Sequence, residues 1–327
     1  MIGFIKTFLA VILSVLNIFT FPVFGNYTAK TEPIDAENCK LNFATISDIH
    51  MTDEVLRNWV LQFGLNDMEN SAYPLDALVC TGDLTDHGEK EEWENLADAF
   101  SKYNPAKNII LAQGNHDTWT EDEGYDLARD YFIDYSEEIT GRKINNEYYS
   151  TKINGYTFIV LASEDDRTSM YMSDAQLAWF DAEMEKAAAD NLPIFVISHW
   201  PLNQTHGLPE TWGDEDMEPD DGGIGDQSAQ VEGILKKYKN VFYITGHIHS
   251  GFVKESQKDV YGYATVESDG SFHSINLPQY MYLTIRGRVA NGTGCQFEVY
   301  DDRVEIRPRS FSAGVWYTDY NVTIPLV

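Results

Sequence analysis

The chain has 327 residues, 43% of them hydrophobic and 13% aromatic, enough to bury the core of one large domain or two small ones. With 52 acidic residues against 23 basic ones its net charge is −29 at pH 7, which sets it against nucleic acid and anionic membrane surfaces as partners. The same charge requires that an anionic substrate meet a local positive counterweight, such as bound metal ions.

The chain opens with a single lysine, Lys6, and then an apolar run from Thr7 to Gly25. Residues 1–25 read as a secretory signal cleaved near Gly25 or as a retained N-terminal anchor, and both readings export the rest of the chain, either secreted or extracytoplasmic. Membrane contact is expected only through residues 7–25, if they are uncleaved. Residues 26–40 form a short lead, and 41–327 read as one domain with no internal repeat or linker.

Apolar runs at 41–47, 76–81, 108–113, 156–162, 193–198 and 241–245 predict buried strands. Between them, helices are predicted over about 54–70, 88–103, 173–190 and 227–238, and this alternation means an α/β fold. Ser173 with Gln176 three residues on reads as a capping box, followed by an apolar face at Leu177, Phe180, Met184 and Ala188. Residues 118–150 and 202–226 are acidic and read as irregular; the second is long enough to suggest a functional loop. Beyond residue 255, "YGYATVE", "YMYLTIR", a hairpin turning at Val299–Val304 and the tail "YNVTI" predict strands that close the same domain as extra sheet. Cys80 reads as a buried thiol, while Cys39 and Cys295 could pair, since export permits disulfides.

The segments after the strands are polar in a repeated way. "FATIS" leads into Asp48-Ile49-His50, "LVCT" into Gly82-Asp83-Leu84-Thr85-Asp86, and "LAQ" into Gly114-Asn115-His116-Asp117. "FVIS" leads into His199, and "YIT" into Gly246-His247-Ile248-His249. In an open α/β sheet, ligands bind at the carboxyl ends of the strands, so these five ends can meet in one cleft. Gly82, Gly114 and Gly246 would let neighbouring loops approach closely, and extended backbone would put Asp48 beside His50 and His247 beside His249. Asp48, His50, Asp83, Asn115, His199, His247 and His249 are too many ligands for one tetrahedral ion. They suit two divalent ions sharing a carboxylate, and a set of nitrogen and oxygen donors suits zinc, manganese or iron.

These motifs, in this order, resemble the calcineurin-like metallophosphoesterase superfamily over residues 41–252. Within it they are similar to the branch containing bacterial cyclic-nucleotide and glycerophosphodiester phosphodiesterases. The resemblance implies a four-layer α/β/β/α sandwich with mixed sheets, to which residues 255–327 add C-terminal strands. It implies one ion held by Asp48, His50, Asp83 and His249, and a second by Asp83, Asn115, His199 and His247. It implies that His116 donates to the phosphate or leaving-group oxygen, oriented by Asp86, and that a metal-bridging hydroxide attacks a phosphorylated small-molecule substrate, either a monoester or a diester.

Asp86 stands where purple acid phosphatases carry a tyrosine, and His87-Gly88 where phosphoprotein phosphatases carry Arg-Gly, so both subgroups are disfavoured. Two other readings remain: a metal-binding scaffold that has lost catalysis, and a surface-anchored enzyme whose acidic lid binds a partner. His206, Trp212 and Asp214 lie where they could read the leaving group, or simply form a solvated lid. Taken singly, each motif residue has a duller role: Asp86 or Asp117 as a helix cap, Asn115 as a turn residue, His199 as a hydrogen-bonded strand end.

Overall fold

The computed structural model describes residues 34–119, 124–165, 168–212, 218–281 and 291–327. Its strands are β1 (Leu41–Ile46), β2 (Ala77–Cys80), β3 (Ile109–Leu111), β4 (Tyr149–Ile153), β5 (Tyr156–Val160), β6 (Ile194–Ile197) and β7 (Val241–Thr245). They continue with β8 (Val266–Ser268), β9 (Phe272–Asn276), β10 (Thr293–Val299), β11 (Arg303–Ser310), β12 (Val315–Trp316) and β13 (Val322–Pro325). The helices are α1 (Val55–Glu69), α2 (Lys90–Ser101), α3 (Gly124–Thr140), α4 (Asp174–Ala188), α5 (Ser228–Leu235) and the one-turn α6 (Lys258–Tyr261).

The central strands are apolar on both faces because both faces are covered. Alternate residues of β1 and β2 (Leu41, Phe43, Ala77 and Val79) point into a core shared with Phe158, Phe195, Ile197, Phe242 and Ile244 of β5, β6 and β7. Their neighbours Ala44, Ile46, Leu78 and Cys80 pack instead on Leu61 and Leu65 of α1, Trp93 and Leu96 of α2 and Phe132 of α3. On the far side, Ile159, Val196 and Tyr243 pack on Phe180 and Met184 of α4 and Val231 and Leu235 of α5. The strand period of two thus sorts one run of apolar residues into two cores, and three such cores make the four-layer α/β/β/α sandwich.

One sheet runs β12-β11-β10-β1-β2-β3, with β13 also on β11; the other runs β4-β5-β6-β7-β9-β8. Both are mixed: β1, β2 and β3 are parallel neighbours while β10 is antiparallel to β1, and β5, β6, β7 and β9 are parallel while β4 and β8 are antiparallel at the edges. The C-terminal strands therefore form no third sheet. They divide between the two sheets, and β10 covers an edge of β1 that would otherwise lie open. The hairpin closes with Val299 opposite Val304.

Several expectations change. Residues 118–150 are not irregular throughout: α3 and the start of β4 lie there. The fully buried stripe of α3 is thin, with Ala128, Phe132 and Ser136, and partly buried Tyr131, Ile133, Tyr135 and Ile139 pack beside it, Tyr135 stacking on Trp93 of α2. Strand β9 was not anticipated, and only Val266 and Glu267 of "YGYATVE" are strand, since α6 precedes them. The segment "YMYLTIR" lies outside the described residues apart from Tyr280 and Met281, which form a bend. The capping box on α4 is half made: Ser173 Oγ accepts from Gln176 N at 3.2 Å, but the Gln176 side chain bonds Ala162 and Glu164 instead.

Cys39 and Cys295 do not pair. Cys295 lies opposite Thr45 on β1, whereas Cys39 precedes that strand, at the end where Leu41 faces Val299. The strand from Leu41 to Thr45 alone spans roughly 13 Å at about 3.3 Å per residue, far beyond disulfide reach. All three cysteines are free thiols. Thiol titration of the unfolded, unreduced protein is expected to give three per chain; one would mean that a pair had formed.

Candidate active site

The parallel strands β1, β2 and β3 of one sheet and β6 and β7 of the other end on the same side, and their exit loops meet there. The two sheets are tied at this seam: His199, after β6, donates from Nδ1 to the Thr81 carbonyl after β2 at 3.0 Å, and the His247 main-chain N–H donates to the Asp48 carboxylate at 3.2 Å. The loops are tightly wound rather than extended. Asp48, His50, Asp83, His247 and His249 all take positive φ, between 46° and 72°. Left-handed backbone at non-glycine residues is costly and collects at functional sites. The convergence of Asp48 with His50 therefore comes from these turns and not, as the motif spacing suggested, from the pleat of a strand.

Six of the seven candidate ligands meet here. Asp48, His50, Asp83 and His249 form one group whose ligating atoms could hold an ion, and Asp83, His199 and His247 form another. Asp83 belongs to both: its Oδ2 lies 3.7 Å from His50 Nε2 and 3.1 Å from His199 Nε2. His249 Nε2 lies 3.0 Å from Asp48 Oδ1 and 3.1 Å from His50 Nε2, while His247 Nδ1 lies 3.2 Å from His199 Nε2.

The outer nitrogens of two rings are already engaged. His50 donates from Nδ1 to Asp86 Oδ1 at 2.9 Å, and His199 donates from Nδ1 to Thr81 O. Their inner Nε2 atoms then carry lone pairs, each facing another imidazole nitrogen. Two lone pairs at that distance repel unless a proton or a cation lies between them, so the donors fit metal ions. Asn115 Oδ1 is buried without a hydrogen-bond partner among the described residues, as suits a further ligand.

Charge alternates through the cluster. Burial pushes the Asp83 carboxyl up, but the imidazoles of His199, His50 and His116 outweigh it and hold the group well below the usual carboxylate range. Asp48 is likewise held at about 2, burial being overcome by His249 and His199. His199 is raised to about 9, burial being overcome by Asp83 and Asp48, whereas His247, buried and next to His199, is held well below the ordinary histidine value. Asp117 is pushed up to about 6 by burial and by the charge of Asp83. Its carboxylate accepts from Gly114 N, Thr85 N and Thr85 Oγ1, each at 2.8 Å, which pins the β2 and β3 loops together.

The glycines serve close approach. A Cβ on Gly114 would run into the Asp83 carboxylate and backbone, and one on Gly82 would lie 2.6 Å from the His199 ring at a φ of 105°. Gly114→Ala is expected to displace the shared carboxylate and cut turnover on the order of a hundredfold, the cost of about 1 Å of misplacement at a reacting centre. Near-normal activity with full metal content would show that the loop can yield.

Other predicted site residues fall differently. His206 is fully buried, with Nδ1 2.8 Å from Ala264 O and Nε2 2.9 Å from Ser274 Oγ. Its ring anchors the loop on Ala264 before β8 and on β9, its main-chain N–H bonds Glu267 of β8, and it is not available to a substrate. Trp212 does reach the site: its ring stacks on His247, with centroids 4.3 Å apart and an interplanar angle of 29°. Asp214 lies outside the described residues. The Asp86 carboxylate serves His50 first; His116 donates from Nδ1 to the main-chain oxygen of Asp86 at 2.6 Å and stands 4.0 Å from its carboxylate.

Arg57, on α1, was missed. Its Nη1 donates to the His50 carbonyl at 2.6 Å and lies 3.1 Å from Asp86 Oδ2, so it clamps the outer support of His50. Its one sequence signal is isolation, as the only Lys or Arg between residues 41 and 89. With His50 and Arg57 beside it, Asp86 is held at about 2 despite the opposing effect of burial.

Metal donors supplied by two stacked sheets and joined through one shared carboxylate are the mark of a dinuclear metallohydrolase. Residues 41–251 match the model of the calcineurin-like phosphoesterase family, and the chain belongs to that family. It is 25% identical over 228 residues to a 3′,5′-cyclic-nucleotide phosphodiesterase of Nostoc sp., covering 67% of this chain and 75% of the relative.

Two solved structures share the fold. A dimetal phosphatase from Danio rerio superimposes with a TM-score of 0.60 at 12% identity, covering 89% of this chain and 100% of that one. A purple acid phosphatase from yellow lupin (Lupinus luteus) seeds gives a TM-score of 0.59 at 12% identity, covering 87% of this chain and 53% of that one. This protein is a phosphoester hydrolase that works with two divalent metal ions.

Proposed function

We propose that the chain is an exported phosphodiesterase in which Asp48, His50, Asp83 and His249 hold one ion and Asp83, Asn115, His199 and His247 hold the other. The observation that carries the two-ion assignment is the position of Asp83 within reach of both imidazole groups. When bound, the ions supply Lewis acidity, activating water and neutralising the phosphate oxygens.

The chain's own residues do the positioning and move the proton. Asp86 and Arg57 fix the ring of His50, and the Thr81 carbonyl fixes that of His199. His116 is oriented by its Nδ1–H bond to Asp86 O and by its main-chain N–H bond to Asp83 Oδ1 at 2.9 Å, so that as the imidazolium it can hand the Nε2 proton to the leaving-group oxygen and keep its Nδ1–H bond as the neutral ring.

A diester is favoured on charge. A phosphomonoester carries up to two negative charges and a diester one, and this chain has His87 where an arginine would hold the second. Arg57 is engaged with Asp86 and His50. The cyclic-nucleotide phosphodiesterase of Nostoc sp. supports the same reading. Export is supported by residues 1–25 alone, which lie outside the described residues; among those described, no helix is long and apolar enough to cross a membrane.

The test is to strip the protein of metal, reload it with manganese, zinc or iron, and compare bis-p-nitrophenyl phosphate with p-nitrophenyl phosphate. A higher kcat/KM on the diester is expected, and a preference for the monoester would sink the assignment. N-terminal sequencing of the exported protein is expected to start near residue 26; a full-length cytoplasmic product would reject export.

A further inference from the structure

Trp119 is a large aromatic residue that no core explains. Its side chain is 40% exposed and belongs to none of the three apolar clusters. It lies directly after the turn His116–Thr118, and its ring centroid is 4.3 Å from that of His116, tilted by 45°. His116 itself is fixed by Asp86 O and Asp83 Oδ1, and its ring meets that of His50 edge to face at 4.6 Å. The indole is therefore held on a rigid support with an exposed surface beside the group that faces the leaving-group oxygen. Exposed apolar side chains are common on this chain, but among the exposed large ones of the described residues Trp119 is the one whose ring lies against His116.

We propose that Trp119 is a specificity residue that stacks on a planar ring in the leaving group, so that the preferred substrates are phosphodiesters of nucleosides or aryl alcohols rather than of simple alkyl alcohols. This rests on the diesterase reading and on the role given there to His116. If His116 delivers its proton to the leaving-group oxygen, the rest of the leaving group must lie alongside Trp119. Stacking also suits the electrostatics, because it gains affinity without a basic side chain on a chain of net charge −29.

The experiment compares wild type, Trp119→Ala and Trp119→Phe, each with measured metal content. The substrates are 3′,5′-cyclic AMP, bis-p-nitrophenyl phosphate and, as an alkyl diester without a cationic group, glycerophosphoglycerol. Truncation is expected to lower kcat/KM on the two ring substrates roughly tenfold or more, as the loss of one aromatic stacking partner does. The loss on glycerophosphoglycerol should stay under about twofold, phenylalanine should restore most of the ring-substrate activity, and metal content should not change. An equal loss on all three substrates would mean that Trp119 acts only by packing His116, and no loss on the ring substrates would mean that it does not touch them; either overturns the proposal.

Titration with 5′-AMP and with glycerol 3-phosphate separates this inference from the reading beneath it. If the loaded wild type hydrolyses none of the diesters, the diesterase reading fails. Stacking still stands if Trp119→Ala selectively loses AMP affinity, and falls if it does not.

Discussion

Replacing Asp83 by asparagine is expected to lower kcat/KM by at least about a thousandfold and to release metal from both halves of the cluster. The magnitude follows from losing the carboxylate common to both groups, since metal stabilisation of transition-state charge is worth several kcal/mol and each 1.36 kcal/mol is about tenfold in rate. The substitution keeps the shape of the side chain and removes the negative charge that His199, His50 and His116 surround. Asp83 Oδ1 also accepts the His116 main-chain N–H at 2.9 Å, and a neutral amide oxygen there holds it less strongly than the carboxylate, so the anchor of His116 weakens at the same time. Metal content read by elemental analysis beside steady-state rates decides the matter. Two ions retained with full activity would remove Asp83 from the shared position.

Replacing His116 by asparagine is expected to separate the two functions that Asp83→Asn removes together. His116 stands against Asp86 and His50 and belongs to neither of the groups that share Asp83. Its Nδ1 already donates to a main-chain oxygen, which suits a proton carrier. Turnover should fall by about a hundredfold to ten-thousandfold, the usual contribution of a positioned acid, with both ions kept. The loss should shrink for a substrate whose leaving group departs readily without a proton, such as p-nitrophenolate, and grow for an alkoxide. Loss of one ion on substitution would instead make His116 a ligand, and an equal loss on both kinds of leaving group would exclude general-acid catalysis.

Much of this site was legible because its residues cluster in short motifs at the ends of apolar runs. Asp48, His50, Asp83, Asn115, His199, His247 and His249 stand out as candidate donors by residue type and position alone. Their surroundings could not. Arg57 reaches His50 and Asp86 from a helix that carries no motif, and the support of His199 is a carbonyl, Thr81 O, which leaves no trace in residue identity. The family resemblance implies Asp86 as the orienter of His116; its main-chain oxygen accepts from the His116 ring, and its carboxylate holds His50. His206 looked like a residue of the loop over the site, yet it turns inward to Ala264 and Ser274, about 60 residues further along the chain.

The sequence by itself determined the strands whose two faces are both apolar, the helices between them, and the order of donors after each strand. These are local properties, set by side-chain period and by residue chemistry. Only the tertiary structure decided that the C-terminal strands would divide between the two sheets, that α3 would be stable on so thin an apolar stripe, and that Cys39 and Cys295 would lie apart. It also decided how the donors converge, through left-handed turns at Asp48, His50, Asp83, His247 and His249 that local propensity disfavours. The physical reason is the same in each case. Pairing register, layer contacts and strained backbone are held by partners far away in the chain, and no local pattern records which partner will arrive.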